Sequence, residues 1–563
     1  MTRLDDRAVV LAAVLGTLAA RAITYFALGD VPHVMDEIAY VLQAKTLATG
    51  HVSAPVHLPR AAFAMWFVDD RWATYSIFPP GWPAVLAIGV KLGVRAWVNP
   101  LLHGLTVLAI AGTARRLGGA RVAAVAAFAY AFSPQALLPA GSFMSHTLVA
   151  LCASLALLAG ISAATGRARA WHFWAAGVGV GLAALARPLC AVAIGVGLAA
   201  LLASAVWQRR KLRLSSLAAI ALPFVLGCVL LGAYNQALTG KATRFPQSSW
   251  FDEHAPPIDI GFFKYRPGCN ELGFGPGHGC DSGIRDATHD LPNALSNTGD
   301  NLTSWALLAG GGPLVFVGAV YALWGGRRAG RRRRRRFVWP LAAVIPAAIV
   351  LYALYWYAGT CYGGRFYQAA LPALLLLSAY GFSVLARRRH VAIAVSTAWV
   401  LATGFALVMS LREVADGYWG TDARFEALAA SWHHEPALVM VAFQDDGVLM
   451  HRLHWTGFTA PKDTDGSEPR WLNSVRALGA LGVNDPQLAQ PVVYSKYDPA
   501  LVAELKARFP SRALYIYIAT ADRTQDRLVK YEGSAFAEID QVGAIPKDNF
   551  DAYTVPAYAR PQR

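Results

Sequence analysis

What most constrains this chain is a series of apolar segments, each near 20 residues, punctuated by short arginine-rich runs. An apolar stretch of that length matches the hydrocarbon thickness of a bilayer as a helix. The segments are 8–28, 97–116, 121–138, 143–165, 171–186, 188–206, 214–238, 303–325, 337–357, 366–386 and 390–411. Charged residues make up 15% of the chain, against roughly 25% in soluble proteins. The sequence therefore reads as a polytopic α-helical membrane protein of about 11 transmembrane helices. Residues 1–7 lead straight into the first apolar run without a small-residue cleavage site, so that run reads as a retained helix.

The net charge of +16 does not point to nucleic acid. Its basic residues sit between apolar segments, as RRLGGAR, RARA, RRKLR, RRAGRRRRRR and ARRRH, which is how cytoplasmic loops are marked. They also settle one ambiguous stretch, PPGWPAVLAIGVKLGV at 79–94. If it stays at the interface, Arg115/Arg116, Arg167/Arg169, Arg209–Arg213, the 327–336 run and Arg387–Arg389 all share a side with Arg3 and Arg7. If it crosses, every later run opposes the N-terminus. The first option gives eleven spans, with the N-terminus cytoplasmic and the C-terminus extracytoplasmic, in an inner (plasma) membrane.

That topology gathers several polar groups outside. The 29–96 loop, with interfacial helices, carries Asp36 and Glu37, two adjacent acids at a span's mouth that are costly to place there. The same loop brings His33, Asp69, Asp70 and Tyr75 as a candidate substrate loop. The SFMSHT turn brings His146, the LARPL tip Arg187, and GTCYGGRF Arg365. Forked arginine donors suit phosphate oxygens, and a carboxylate opposite them suits proton removal from an attacking hydroxyl. Asp36, Glu37 and His146 are also the residues that would hold a divalent cation such as Mg or Mn; metal dependence is left open. In the external loop 239–302, Cys269 and Cys280 can form a disulfide in an oxidising compartment.

From about residue 412 polar residues increase and short β-rich runs appear at 437–443, 491–498 and 513–519, with a helical spacing at 498–509. This predicts a small extracytoplasmic α/β domain over 412–563, following a membrane domain over 1–411.

The order of features resembles the GT-C class of membrane glycosyltransferases, in the branch of the protein O-mannosyltransferases and lipid A aminoarabinose transferases (glycosyltransferase 39-like). The matching features are Asp36-Glu37 with Gly50 and Pro55 beyond; TYSIFPPGW with Pro79, Pro80 and Gly81; ARRLGG at 114–119; Ser133-Pro134; LARP with Arg187; and GGRFYQAALP with Arg365, Phe366 and Tyr367. Two features depart from the pattern. The lysine before Pro-Pro is missing, with Ile77 and Phe78 in its place, and Ser145-His146 stands where a second acid is expected. The resemblance implies a glycosyltransferase that takes a sugar from a polyprenyl-phosphate donor and inverts the anomeric centre. Asp36 would be the general base, with Glu37 in support and His146 serving the second loop. Arg187, Arg365 and Tyr367 would bind the donor phosphate. The implied partners are that donor, membrane lipid, and a lipid, glycan or protein acceptor. Two rival readings are a transporter or flippase of lipid-linked sugars, expected to show internal symmetry, and a non-catalytic scaffold. The scaffold would leave Asp36 more than about 15 Å from the two arginines, beyond the reach of one shared lipid phosphate sugar.

Overall fold

The computed structural model describes residues 2–254, 260–262, 289–324, 332–355, 361–385, 389–415, 418, 421–443, 478–519, 526–531 and 552–553. Cys269 and Cys280 lie outside the described residues.

Among the described residues, seven helices are long and apolar enough to cross a bilayer: Asp5–Ala27, Arg95–Gly118, His146–Ala164, Pro188–Trp207, Leu214–Thr239, Arg336–Ala353 and Arg389–Val414. The pair Ala120–Ala131 and Pro134–Gly141, bent by 54°, makes an eighth. The bend falls at Ser133, held extended before Pro134, as a residue preceding proline must be. The remaining expected spans are shorter apolar helices, Ala170–Ala186, Leu314–Trp324 and Leu371–Leu385. The chain is thus a mostly helical, multi-pass membrane protein.

One expected boundary needs correction. The segment 303–325 is not a continuous helix: Leu291–Leu308 and Leu314–Trp324 are separate. Between them Gly310, Gly311 and Gly312 take φ of +101°, +71° and +57°, a backbone region glycine enters freely, and Pro313 follows. The stretch after Pro79-Pro80 forms helix Gly81–Lys91. Its eleven residues give a length of about 16 Å, half the hydrocarbon thickness of about 30 Å.

The bundle is held by close backbone approach as well as by bulk. Helices Ala170–Ala186 and Leu214–Thr239 meet through Gly177, Gly181 and Gly227. A Cβ on Gly177 would lie 2.5 Å from the Ala219 carbonyl oxygen, one on Gly181 2.5 Å from that of Pro223, and one on Gly227 2.7 Å from that of Gly181. Small residues four apart permit this approach between apolar helices, where water supplies no driving force.

The C-terminal part contains a five-stranded sheet. We label its strands β1 (Ala437–Phe443), β2 (Val492–Lys496), β3 (Ala513–Ala519), β4 (Arg527–Lys530) and β5 (Ala552–Tyr553). Their spatial order is β2-β1-β3-β4-β5, with β1 parallel to β2 and β3, and the last two strands antiparallel. Alternation along β1 and β3 buries Val439, Val441 and Tyr517 on one face and Leu438, Met440 and Ile516 on the other. Helix Arg424–Ala430 covers the first face through Phe425 and Leu428. The crossover helix Val502–Arg508 covers the second through Leu505, the long connection that parallel strands require.

The sheet region is mated to the first loop through helix Met35–Ala48. Lys45 Nζ donates to the carbonyls of Gly482, Val483 and Asn484 at 2.7, 2.9 and 3.1 Å. Arg95 pairs with Glu426 at 2.6 Å.

Gly181→Val is expected to force the two glycine-packed helices apart and to lower stability by about 1–3 kcal/mol, the usual cost of overpacking. Gly232→Ala, on the partner helix Leu214–Thr239 and with no contact closer than 3.7 Å, is expected to be neutral or slightly stabilising. Thermal unfolding in detergent compares the two.

Candidate active site

The two acids of the first loop open helix Met35–Ala48, and neighbouring helical positions point about 100° apart. They therefore face different surroundings. Asp36 lines a cavity of about 340 Å³. Glu37 turns into the protein and is fully buried. Its Oε1 accepts the Phe143 amide at 3.0 Å. Its Oε2 accepts the His33 and Val34 amides at 2.7 and 3.3 Å and the Tyr362 hydroxyl at 3.3 Å. Burial pushes its carboxyl above the ordinary value, with His33, the Ser142 hydroxyl and the Val34 amide opposing. Glu37 is a fastener rather than a group facing the cavity.

Among the described residues, the charged groups on the cavity wall are Asp36, Arg187 and Arg365. Arg365 Nη2 lies 3.1 Å from Asp36 Oδ2, both largely buried at 6% and 13% side-chain exposure. Arg187 has no carboxylate within ion-pair distance among the described residues. It donates to Ser145 Oγ at 3.3 Å, and Ser145 meets the Tyr40 hydroxyl at 3.3 Å. The guanidinium carbons of Arg187 and Arg365 lie 5.3 and 5.5 Å from the ring centre of Phe366. Phe366 in turn stacks on Tyr352, centres 5.0 Å apart. Two cations against one anion leave the wall net positive, which suits an anionic ligand.

Turn chemistry sets both arginines in place. Arg187 occupies the break between Ala170–Ala186 and Pro188–Trp207, where Pro188 starts the new helix. The same break touches Gly81: a Cβ there would lie 2.7 Å from the Leu185 carbonyl carbon and 2.8 Å from the Ala186 amide nitrogen. Glycine after Pro79-Pro80 thus lets that corner pack directly on the turn that carries Arg187. Arg365 begins a short 3₁₀ turn after Gly363 and Gly364. A Cβ on Gly363 would lie 2.5 Å from Gln135 Oε1, and one on Gly364 2.8 Å from the Asn301 carbonyl oxygen.

The structure does not bring the other expected residues to this wall. Buried His146 opens its helix outside the cavity lining, and neither ring nitrogen has a hydrogen-bond partner among the described residues. Tyr367 packs edge-on against Trp305, centres 5.3 Å apart, away from the lining. His33 bonds the carbonyls of Tyr418 and Leu28 at 3.0 and 2.9 Å and so ties the first loop to the sheet region. Asp69 and Tyr75 pair across a small hairpin, Val68–Asp69 with Tyr75–Ser76. Asp70 lines a small pocket against the sheet region. For the Asp69 carboxyl, burial pushes upward, but the Arg71 guanidinium and amide prevail and hold it below the ordinary value. Asp36, Glu37 and His146 do not form a common ligand set, and among the described residues no three His, Cys, Asp or Glu side chains gather as a metal would need.

Sequence reasoning missed Tyr40, Tyr352, Tyr355 and Gln247, and at Ser145-His146 it gave the role to the histidine rather than to Ser145. Tyr40 was findable, four residues after Asp36 and so on the same helix face. Burial pushes its hydroxyl up to about 12, with Arg187 opposing. Gln247 donates to the Tyr355 hydroxyl at 3.1 Å, a pairing across 108 residues that no local pattern announces.

Residues 79–231 match the model of the dolichyl-phosphate-mannose-protein mannosyltransferase family, a stretch that includes the Pro-Pro-Gly corner and Arg187. The structure aligns with ArnT from Cupriavidus metallidurans bound to undecaprenyl phosphate, with a TM-score of 0.51 and 15% identity, over 92% of this chain and 93% of that one. The chain has a GT-C-type glycosyltransferase fold. Within that fold it resembles the protein mannosyltransferase and ArnT branch. A second GT-C structure, the oligosaccharyltransferase of Archaeoglobus fulgidus in complex with Zn and sulfate, aligns with a TM-score of 0.42 and 13% identity. The alignment covers 80% of this chain and 61% of that one. No curated protein matches the chain in sequence.

Glu37→Ala is expected to strand the Phe143 and His33 amides and to cost roughly 3 kcal/mol, as lost partners of buried donors do. Differential scanning fluorimetry in detergent measures this. For Asp69, the folded value lies below the unfolded one. The stability it supplies is therefore complete above the ordinary carboxylate range and is lost as pH falls through the folded value. Asp69→Asn should flatten the acid side of the stability–pH curve.

Proposed function

We propose that this protein is an integral-membrane glycosyltransferase that moves a sugar from a polyprenyl-phosphate donor to an acceptor hydroxyl at the outer face of the membrane. The observation that carries the reading is the placement of Asp36, Arg187 and Arg365 on one cavity wall that is otherwise mostly apolar and aromatic. The Asp36–Arg365 contact is the reverse of the wide separation a scaffold predicts. The ArnT structure, which holds undecaprenyl phosphate, supports the donor class.

In this reading the acceptor oxygen attacks the anomeric carbon on the side away from the phosphate. The bond from that carbon to the phosphate oxygen breaks, and the electron pair leaves with the phosphate. Attack from the opposite side inverts the centre. Asp36 takes the acceptor proton. Arg187 and Arg365 hold the departing phosphate, whose charge grows as the bond breaks. Arg365 contacts Asp36 and would also reach the phosphate, so it fixes the distance between base and leaving group. The apolar wall, with Phe67, Phe78, Phe251 and Phe366, accommodates the prenyl chain and excludes water. The first loop and the region from 412 onward lie on the outer side.

Asp36→Asn is expected to reduce transfer from labelled polyprenyl-phosphate sugar by between about 100-fold and 10,000-fold, the range for loss of a general base, while donor binding persists. Arg187→Gln should chiefly weaken donor binding. Full activity in a folded Asp36→Asn protein would remove the base assignment.

A further inference from the structure

A second recess, of about 600 Å³, opens where the turn of the small hairpin meets the end of helix Leu214–Thr239. Its wall carries Arg71, Lys241 and Arg244, with Trp72, Thr239 and Ser249. The rim is fixed by the protein's own bonds. The Tyr75 hydroxyl donates to the Leu238 carbonyl at 3.3 Å, the Thr239 hydroxyl to the Arg244 carbonyl at 3.1 Å, and Arg244 Nε to Ser249 Oγ at 2.7 Å.

Charge and position point to one kind of occupant. Arg71 pairs with buried Asp69. Arg244 pairs with Asp252 at 2.7 Å, but with side chains 44% and 61% exposed, a pairing that water screens and another anion can replace. Lys241 has no ion pair among the described residues. The helix that ends at Thr239 exposes Leu222, Phe224, Val225, Leu226, Val229 and Leu230 along its length, as a helix facing lipid does. Its end therefore marks the head-group level. Trp72, 56% exposed and 5.5 Å from Tyr75, is the kind of ring that settles at that level.

We propose that this recess binds the phosphate of an anionic lipid in the outer leaflet, with Lys241 and Arg244 as its donors and Trp72 against the glycerol or acyl region. The segment 244–249 separates it from the cavity: Arg244 and Ser249 face the recess, whereas Phe245, Gln247 and Ser248 line the cavity. A lipid held here stands one short helix away from Asp36. The inference rests on the membrane orientation proposed above and not on the transfer reaction.

The test titrates phosphatidylglycerol onto the full-length protein in detergent and counts bound lipids by native mass spectrometry, with phosphatidylcholine as control. The protein should retain phosphatidylglycerol in preference to phosphatidylcholine. Lys241→Gln with Arg244→Gln should weaken that binding about 30-fold, the expectation for two cations at an anionic surface. If the double variant does not fold, Lys241→Gln alone should give a smaller loss in the same direction. Equal retention of both lipids, or unchanged affinity in the folded variants, overturns the proposal. Displacement of the lipid by low-millimolar inorganic phosphate assigns the recess to a free anion and overturns the lipid. Because the readout is binding, sugar transfer can fail or succeed independently.

Discussion

The site depends first on a carboxylate that never faces it. Glu37 gathers amides from His33, Val34 and Phe143 and a hydroxyl from Tyr362, joining three segments far apart in sequence. A buried carboxyl group is tolerated only when its oxygens are satisfied this fully. In return it fixes the start of helix Met35–Ala48, and with it the direction in which Asp36 points. Tyr362 accepts a φ of +55° at this junction, a conformation that costs a bulky residue and persists only where surroundings over-determine it. Arg365 stands three residues further on, so the fastener also sets the partner of Asp36.

The two adjacent acids thus divide the labour. The 100° step between successive helical residues puts one carboxylate on the cavity and the other in the protein interior. Nothing in residue type distinguishes them. Only the third dimension does, through the turn at 142–144 that descends over Glu37.

Much of the frame was legible in the sequence, because bilayer thickness dictates helix length. Each expected span has a helix beneath it, and Pro188 and Gly81 already marked the corners that hold Arg187. Where the structure adds to the reading, local signals compete with hydropathy. The apolar average over 303–325 concealed Gly310–Gly312, three consecutive residues in the left-handed region. Tyr367 and Tyr352 are equally plausible by composition, yet a 3₁₀ turn aims the first at Trp305 and leaves the second on the cavity. His33 reads as a reactive side chain beside two acids, but its ring serves as a clip between carbonyls. The aromatic packing around Phe366 joins segments that only the folded chain brings together.

Helix Met35–Ala48 has two owners. One side presents Asp36 and Tyr40 to the membrane bundle. The other gives Lys45 to three successive carbonyls at 482–484, and Ile38 to Gly482, where an added Cβ would lie 3.0 Å away. The sheet is therefore not an independent attachment that could be exchanged between relatives at a linker. A graft of that sheet onto another membrane scaffold would have to carry the outer face of this helix with it. Residue 38 is accordingly tied to the glycine at 482, and Lys45 to the path of the backbone at 482–484 whatever side chains it carries.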